Sequence, residues 1–193
     1  KNSDIQALLA SAAQGPGSQE SRLSALRVMS KAPLKTMPAS WCASLARVMA
    51  EGGTDLVQQA VLAARAVPVP KEQTATVDTG LLRVGRDARI PQEARLDALA
   101  AVAGGIGTLE PELFDFLKAS VKPSLSVAAR GSAASALKKS SLSPEQRLSL
   151  VDFVREAGPL ELPSLLACFE GASDEALGTR LLTALEQSKG LVS

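Results

Sequence analysis

Gln92-Glu93-Ala94-Arg95-Leu96-Asp97-Ala98-Leu99 decides the reading of this chain, because the same pattern stands earlier as Gln19-Glu20-Ser21-Arg22-Leu23-Ser24-Ala25-Leu26. In both copies apolar residues recur three and four apart, the spacing that gathers them on one face of a helix. Aligning the other even-numbered helices on the Arg of this motif places Gln58, Arg130 and Ser164 in the same column, at successive steps of 36, 37, 35 and 34 residues. That step is the length of one helix pair in a repeat array. Three positions further on stand Ala25, Val61, Ala98, Ala133 and Ala167, all small or slender. A residue facing the next pair must be small for helix axes to approach, while Leu26, Leu62 and Leu99 are placed to fill the groove between layers.

Outward from the motif, Gly, Pro and capping residues mark off eleven helical segments. Ser3 caps the first, which runs through Ala13 with Ile5, Leu8, Leu9 and Ala12 on one face, and Gln14-Gly15-Pro16-Gly17 breaks it. Ser18 caps the second, to about Ser30. The third spans Pro38 to Ala50, with Trp41, Leu45 and Val48 or Met49 as its core face. The fourth runs from Thr54 or Asp55 to Val67, and the fifth, weakened by three Thr, from Lys71 to about Val84. Pro91 opens the sixth, which stops near Ala103 before Gly104-Gly105. Pro111 opens the seventh, with Leu113, Phe114, Phe116 and Leu117 as its core. Ser124 to Lys139, Pro144 to Ala157, Pro159 to Glu170 and Asp174 to Ser188 complete the series. The expected fold is all-α, a right-handed α-solenoid of about five and a half helix pairs, with residues 1–193 as one repeat domain. The abrupt start and finish inside patterned sequence read as a piece of a longer multidomain protein.

Composition agrees. Apolar residues make up 46% and charged residues 21% of 193, ordinary globular usage, while Tyr is absent and Phe and Trp number only four and one. Small residues and Leu suit close helix packing rather than sheets. Formal charge is +1, divided as +3 over residues 1–97 and −2 over the remainder, so no electrostatic case exists for nucleic acid or an anionic membrane. No apolar run approaches the ~20 residues that span a bilayer, and Lys1-Asn2-Ser3-Asp4 is no signal peptide. Cys42 and Cys168, 126 positions apart, form neither a disulfide framework nor a zinc motif and read as small buried hydrophobes.

With no His in the chain, Ser-His and Cys-His nucleophile pairs, histidine metal sites and imidazole acid–base work are excluded within it. Gly104-Gly105-Ile106-Gly107 lacks the Lys and Ser/Thr of a phosphate loop and reads as a helix-ending turn. Gly171-Ala172-Ser173 lacks the second Gly of a nucleophile elbow. Glu110, Glu112 and Asp115 beside Pro111 read as acids favoured in a helix's first turn. No catalytic, cofactor-binding or metal-binding residue is assigned, and no cofactor or small-molecule substrate is expected. Two Arg sets remain. Arg83, Arg86 and Arg89, spaced by three around Gly85, are candidates for meeting an acidic protein partner, against the plainer reading of a solvated loop partly neutralised by Asp87. Arg22, Arg95 and Arg130 are candidates for holding layers together through an acid, such as Asp55 or Asp97, or a carbonyl of an adjacent repeat.

Ala129-Arg130-Gly131-Ser132-Ala133-Ala134-Ser135-Ala136-Leu137 resembles the second helix of the HEAT-repeat family, Val-Arg-x-x-Ala-x-x-Ala-Leu, and Arg22 to Met29 and Arg95 to Val102 resemble it more loosely. The resemblance covers almost the whole chain and departs from the pattern at Gln58 and Ser164. A narrower likeness lies in Leu165-Leu166-Ala167-Cys168-Phe169-Glu170, Asp174-Glu175-Ala176-Leu177-Gly178 and Leu182-Thr183-Ala184-Leu185. These are similar to the helical section of large exported planctomycete and verrucomicrobial proteins, in which a dehydrogenase-like propeller precedes and a c-type haem domain follows. That family's haem attachment needs Cys-x-x-Cys-His, which this chain does not contain. The resemblances imply a non-catalytic scaffold or protein-interaction module, whose partners are other domains of the same protein or another protein. It is periplasmic or otherwise exported if the narrower likeness holds and cytoplasmic if not. The competing expectation is an enzyme-associated repeat domain, lyase-like or DNA-glycosylase-like, binding a ligand or nucleic acid on its concave face. The shortage of aromatics and of surplus positive charge weighs against it.

Overall fold

Each helix begins where a cap or a proline supplies what the first free N–H groups lack. The computed structural model describes residues 3–172 and 174–188. Ser18 accepts from Ser21 N–H at 3.2 Å, and Ser126 from Ala129 N–H at 3.2 Å. Ser143 and Gln146 cap one another reciprocally, and the Asp174 carboxylate accepts from Ala176 and Leu177. The chain forms two compact units, residues 1–104 and 105–193.

In the first unit the helices are α1 (Ser3–Gln14), α2 (Gln19–Lys31), α3 (Ala39–Glu51), α4 (Thr54–Ala66), α5 (Thr74–Arg86, after a 3-10 turn at Lys71–Gln73) and α6 (Gln92–Ala101). They pack as pairs, α1 on α2, α3 on α4 and α5 on α6. The first helices α1, α3 and α5 also pack side by side, as do the second helices α2, α4 and α6. Two layers result, with Leu26, Met29, Trp41, Leu45, Val61, Leu81, Leu96 and Leu99 sealed between neighbours. Each such side chain contributes roughly 1.5–3 kcal/mol by leaving water. Side-chain bonds one repeat period apart tie the layers. Trp41 Nε1 donates to Gln6 O (2.8 Å) and Ser44 Oγ to Ala10 O (2.9 Å) between α3 and α1, and Gln19 Nε2 donates to Asp55 (3.1 Å) between α2 and α4.

The second unit contains α7 (Pro111–Ala119), α8 (Val127–Lys138), α9 (Pro144–Glu156), α10 (Leu162–Ala167) and α11 (Glu175–Glu186). Here α7 packs on α8, α8 and α9 both on α10, and α9 on α11. The wholly helical expectation missed one detail: β1 (Gly107–Thr108) and β2 (Ser140–Ser141) pair in parallel, joining the connection before α7 to that after α8. Gly105 and Gly107 turn the chain there at φ +89° and +77°, angles that a Cβ disfavours.

Six sequence expectations need correction. Phe116 of α7, read as core, and Ala167 of α10, read as facing the next pair, are only half-buried. Helix α10 is half the expected length, because Pro163 sits in its first turn and Gly158 to Glu161 form the turn leading into it. Helix α8 starts at Val127 under the Ser126 cap, not at Ser124. Leu62 is 47% exposed, since α4 turns Val57, Ala60, Val61 and Ala64 inward and leaves the next position outside. Of the stripe Ile5, Leu8, Leu9 and Ala12, none is buried: α1 lays Ala10 and Ala13 against its neighbours, and the larger side chains are turned outward. Backbone acceptors explain this orientation, because Trp41 and Ser44 reach the carbonyls of Gln6 and Ala10 only if small residues lie between α1 and α3.

Candidate functional site

The outward stripe of α1 borders a groove of about 480 Å³ in the first unit. Ile5, Gln6 and Leu9 of α1 form one wall, and Arg27, Val28 and Lys31 of α2 the other. Ala32, Pro33 and Leu34 after α2 and the buried Trp41 of α3 complete the lining. Ile5 is 53% and Val28 52% exposed, so the walls are apolar and open to solvent. Both walls present residues at i, i+1 and i+4, one helical turn apiece. Sequence reading placed Ile5 and Leu9 on one face of α1 and Trp41 on the packed face of α3, where it is indeed buried, and overlooked Val28, Lys31 and Leu34. The signal was present in the α1 stripe, which is too apolar for a helix that buries only two alanines.

Cations dominate the rim. Arg27 bonds Glu20 at 3.1 Å, both side chains exposed. Lys31 and Lys35 have no ion pair among the described residues, and no Asp or Glu lines the groove. Lys31 stands in the last turn of α2, where the helix dipole favours a cation.

The Arg triad is split by the end of α5. Arg83 and Arg86 are exposed in its last turn, whereas Arg89 lies beyond it and clamps Asp87 with Nε at 2.9 Å, Nη2 at 2.7 Å and its own backbone N–H at 3.0 Å. These bonds hold the Asp87 carboxyl down at about 2. The three cations therefore do not form a single helical row.

The aligned arginines bond to carbonyls and to one acid. Arg22 Nε donates to Ala13 O (3.0 Å) and Arg95 Nε to Gly85 O (3.0 Å), each from the second helix of a pair to the end of the first. Arg130 Nε donates to Glu161 Oε1 (2.9 Å) across to the turn before α10, and its Nη1 reaches the Pro123 carbonyl at 3.3 Å. The acids named for this role are engaged through other residues: Asp55 by Gln19, and Asp97 by Arg65 of α4. An arginine at the second helix's start lies one turn from the first helix's last carbonyls, so the carbonyl of its own pair is the nearest acceptor.

The remaining candidates fall into structural surroundings. The Asp78 carboxylate accepts from Ala103 N–H (3.0 Å) and Gly104 N–H (2.7 Å), so this Gly-rich turn already holds an internal anion. Asp115 pairs with Lys118 at 3.0 Å, while Glu112 sits in the first turn of α7 and Glu110 at its N-cap. Ser173 lies outside the described residues. Cys42 and Cys168 are buried, and burial pushes the Cys168 thiol up to about 11. Among the described residues no three His, Cys, Asp or Glu side chains are grouped to hold a metal, and no helix is long and apolar enough to cross a membrane.

In the first unit, two layers of paired helices at a step near 35 residues define an all-α helical repeat. No protein-family model and no curated protein matches the sequence. Among solved structures the chain is similar to a designed armadillo repeat protein at 14% identity and a TM-score of 0.57, over 94% of this chain and 99% of that one. It is also similar to a designed armadillo repeat protein in complex with the peptide (KR)4, at 15% identity and a TM-score of 0.50, over 96% and 99% of the two chains. At such identities the likeness establishes the fold, an all-α repeat solenoid.

Proposed function

We propose that this chain is a non-catalytic helical-repeat module that binds a segment of a protein, either another domain of the same polypeptide or a separate partner. The observation that carries this reading is the open apolar groove between α1 and α2, whose walls stand half exposed while the rest of the first unit's large apolar side chains are mostly packed away. That a designed armadillo relative in fold holds a peptide is in keeping with it. Arg83, exposed in the last turn of α5, offers a second, electrostatic contact for an acidic partner, with Arg89 occupied by Asp87. Arg22, Arg95 and Arg130 act as internal struts, and residues 1–193 form one repeat array by virtue of the unbroken period of the aligned column.

Selection of a random peptide library against the immobilised chain tests the reading. Enriched peptides are expected to compete with one another and to lose binding to Val28→Glu, whose exposed position leaves the fold intact. Failure to enrich any peptide, or enrichment unaffected by both Val28→Glu and Arg83→Glu, would overturn it. The finer setting, a spacer between a dehydrogenase-like propeller and a c-type haem domain, is supported only by the likeness of residues 165–185. The full reading frame decides it through an upstream propeller and a downstream Cys-x-x-Cys-His.

A further inference from the structure

Resting on the protein-binding reading above, we propose that the α1–α2 groove takes a short helical segment of a partner protein that presents two apolar side chains one turn apart, flanked by carboxylates. Three observations combine. First, residues 5 to 9 of α1 and 27 to 31 of α2 each supply a single turn of wall, about 6 Å along a helix axis, which matches anchors at i and i+4 of an incoming helix and little more. Second, the walls are apolar and open to solvent, Ile5 being 53% and Val28 52% exposed, so aliphatic side chains of an incoming segment can cover them. Third, the charge around this apolar floor has one sign. Arg27 and Lys31 line the groove and Lys35 follows the lining residue Leu34 in the chain, whereas the nearest acids in the sequence, Asp4 and Glu20, do not line it. Glu20 offsets only Arg27, so an arriving carboxylate meets Lys31 and Lys35, and an arriving lysine or arginine meets like charge.

Trp41 makes the test label-free, because it is the chain's only Trp and lies buried directly beneath the groove, its indole N–H donating to Gln6 O, so that a segment seated above it changes its surroundings. Two synthetic amphipathic peptides, identical in their paired Leu anchors but carrying Glu or Lys on the flanks, are titrated against the full chain while Trp41 emission is followed. The Glu peptide is expected to bind about fivefold or more tightly than the Lys peptide, Lys31→Glu to reverse that preference, and Val28→Glu to abolish both, with circular dichroism unchanged. Equal affinity for the two peptides, or indifference to Lys31→Glu, overturns the acidic specificity and leaves the protein-binding reading standing. Absence of binding by either peptide overturns this proposal, while the library selection decides the broader reading separately. A concentration-dependent rise in mass by sedimentation, lost in Val28→Glu, assigns the groove to a second copy of this chain and overturns the proposal as well.

Discussion

Arg130 and Glu161 form an ion pair largely shut off from water, the Glu side chain being 2% and the Arg side chain 19% exposed. Glu161 Oε2 has no hydrogen-bond partner there, and a Cβ placed on Gly158 would stand 2.6 Å from it. Removing one member of such a pair strands the other, so Arg130→Ala is expected to destabilise the second unit by about 3–5 kcal/mol. Arg130→Met/Glu161→Leu should recover much of that loss in a urea-melt double-mutant cycle, because a matched apolar pair leaves no charge behind. Asp87 presents the opposite case, a half-buried carboxylate clamped by an exposed Arg89. Its depressed carboxyl adds stability above the ordinary aspartate value of about 3.9, and that increment fades as pH falls through about 2. Side-chain carbon NMR should find the midpoint of Asp87 near 2 and Arg89→Ala should return it towards the ordinary range. The Asp87 partnership was legible from sequence because the two residues are neighbours. The Arg130 partner was not, since nothing in the spacing announces a Glu 31 residues away in a turn read as helix.

Helix α5 illustrates how an element's packing can depend on what its residues lack. A Cβ at Gly85 would come within 2.4 Å of Leu99 Cδ2 of α6, and one at Gly80 within 2.8 Å of Met49 Cε of α3. An alanine gains roughly 1 kcal/mol of helix propensity over glycine, yet overpacking a filled core costs about 1–3 kcal/mol. Gly85→Ala is therefore expected to lower the melting midpoint, and Leu99→Val added to it to restore part of the loss, as followed by Trp41 fluorescence. At Gly80 the clash is with the end of a flexible methionine, so the same change should be milder. Of the small column at Ala25, Val61, Ala98, Ala133 and Ala167, the first four are buried as their spacing implied, while Ala167 at the end of the shortened α10 is only half-buried. The face of α1 was not readable in advance, because periodicity reports that a stripe exists without reporting whether a neighbour covers it. Hydrogen bonds from Trp41 and Ser44 to the α1 backbone decide that, and they depend on residues a full repeat away.

For the whole molecule, what matters is how little field it carries. Net charge is +1, and the aligned column, the helix pairs and the two-unit division all arise from apolar packing. The repeat was legible because its period is written in every pair. The division at Gly104 and Gly105 was visible only as a helix-ending turn, since the carboxylate of Asp78 that fixes that turn lies 26 residues earlier. With no long-range potential to steer a polyanion, binding to the acidic peptide must come from close contact with Lys31 and Lys35, within a Debye length of about 8 Å at physiological salt. Raising salt from about 0.05 to 0.5 M should then weaken that peptide by only about two- to fivefold, the scale of one or two exposed ion pairs. A protein that neutralises several DNA phosphates loses about a thousandfold or more over a smaller salt range. Fluorescence anisotropy of a labelled duplex should accordingly show no association at about 0.15 M salt, whereas steep salt dependence with either ligand would mean that a cationic surface other than the groove rim governs binding.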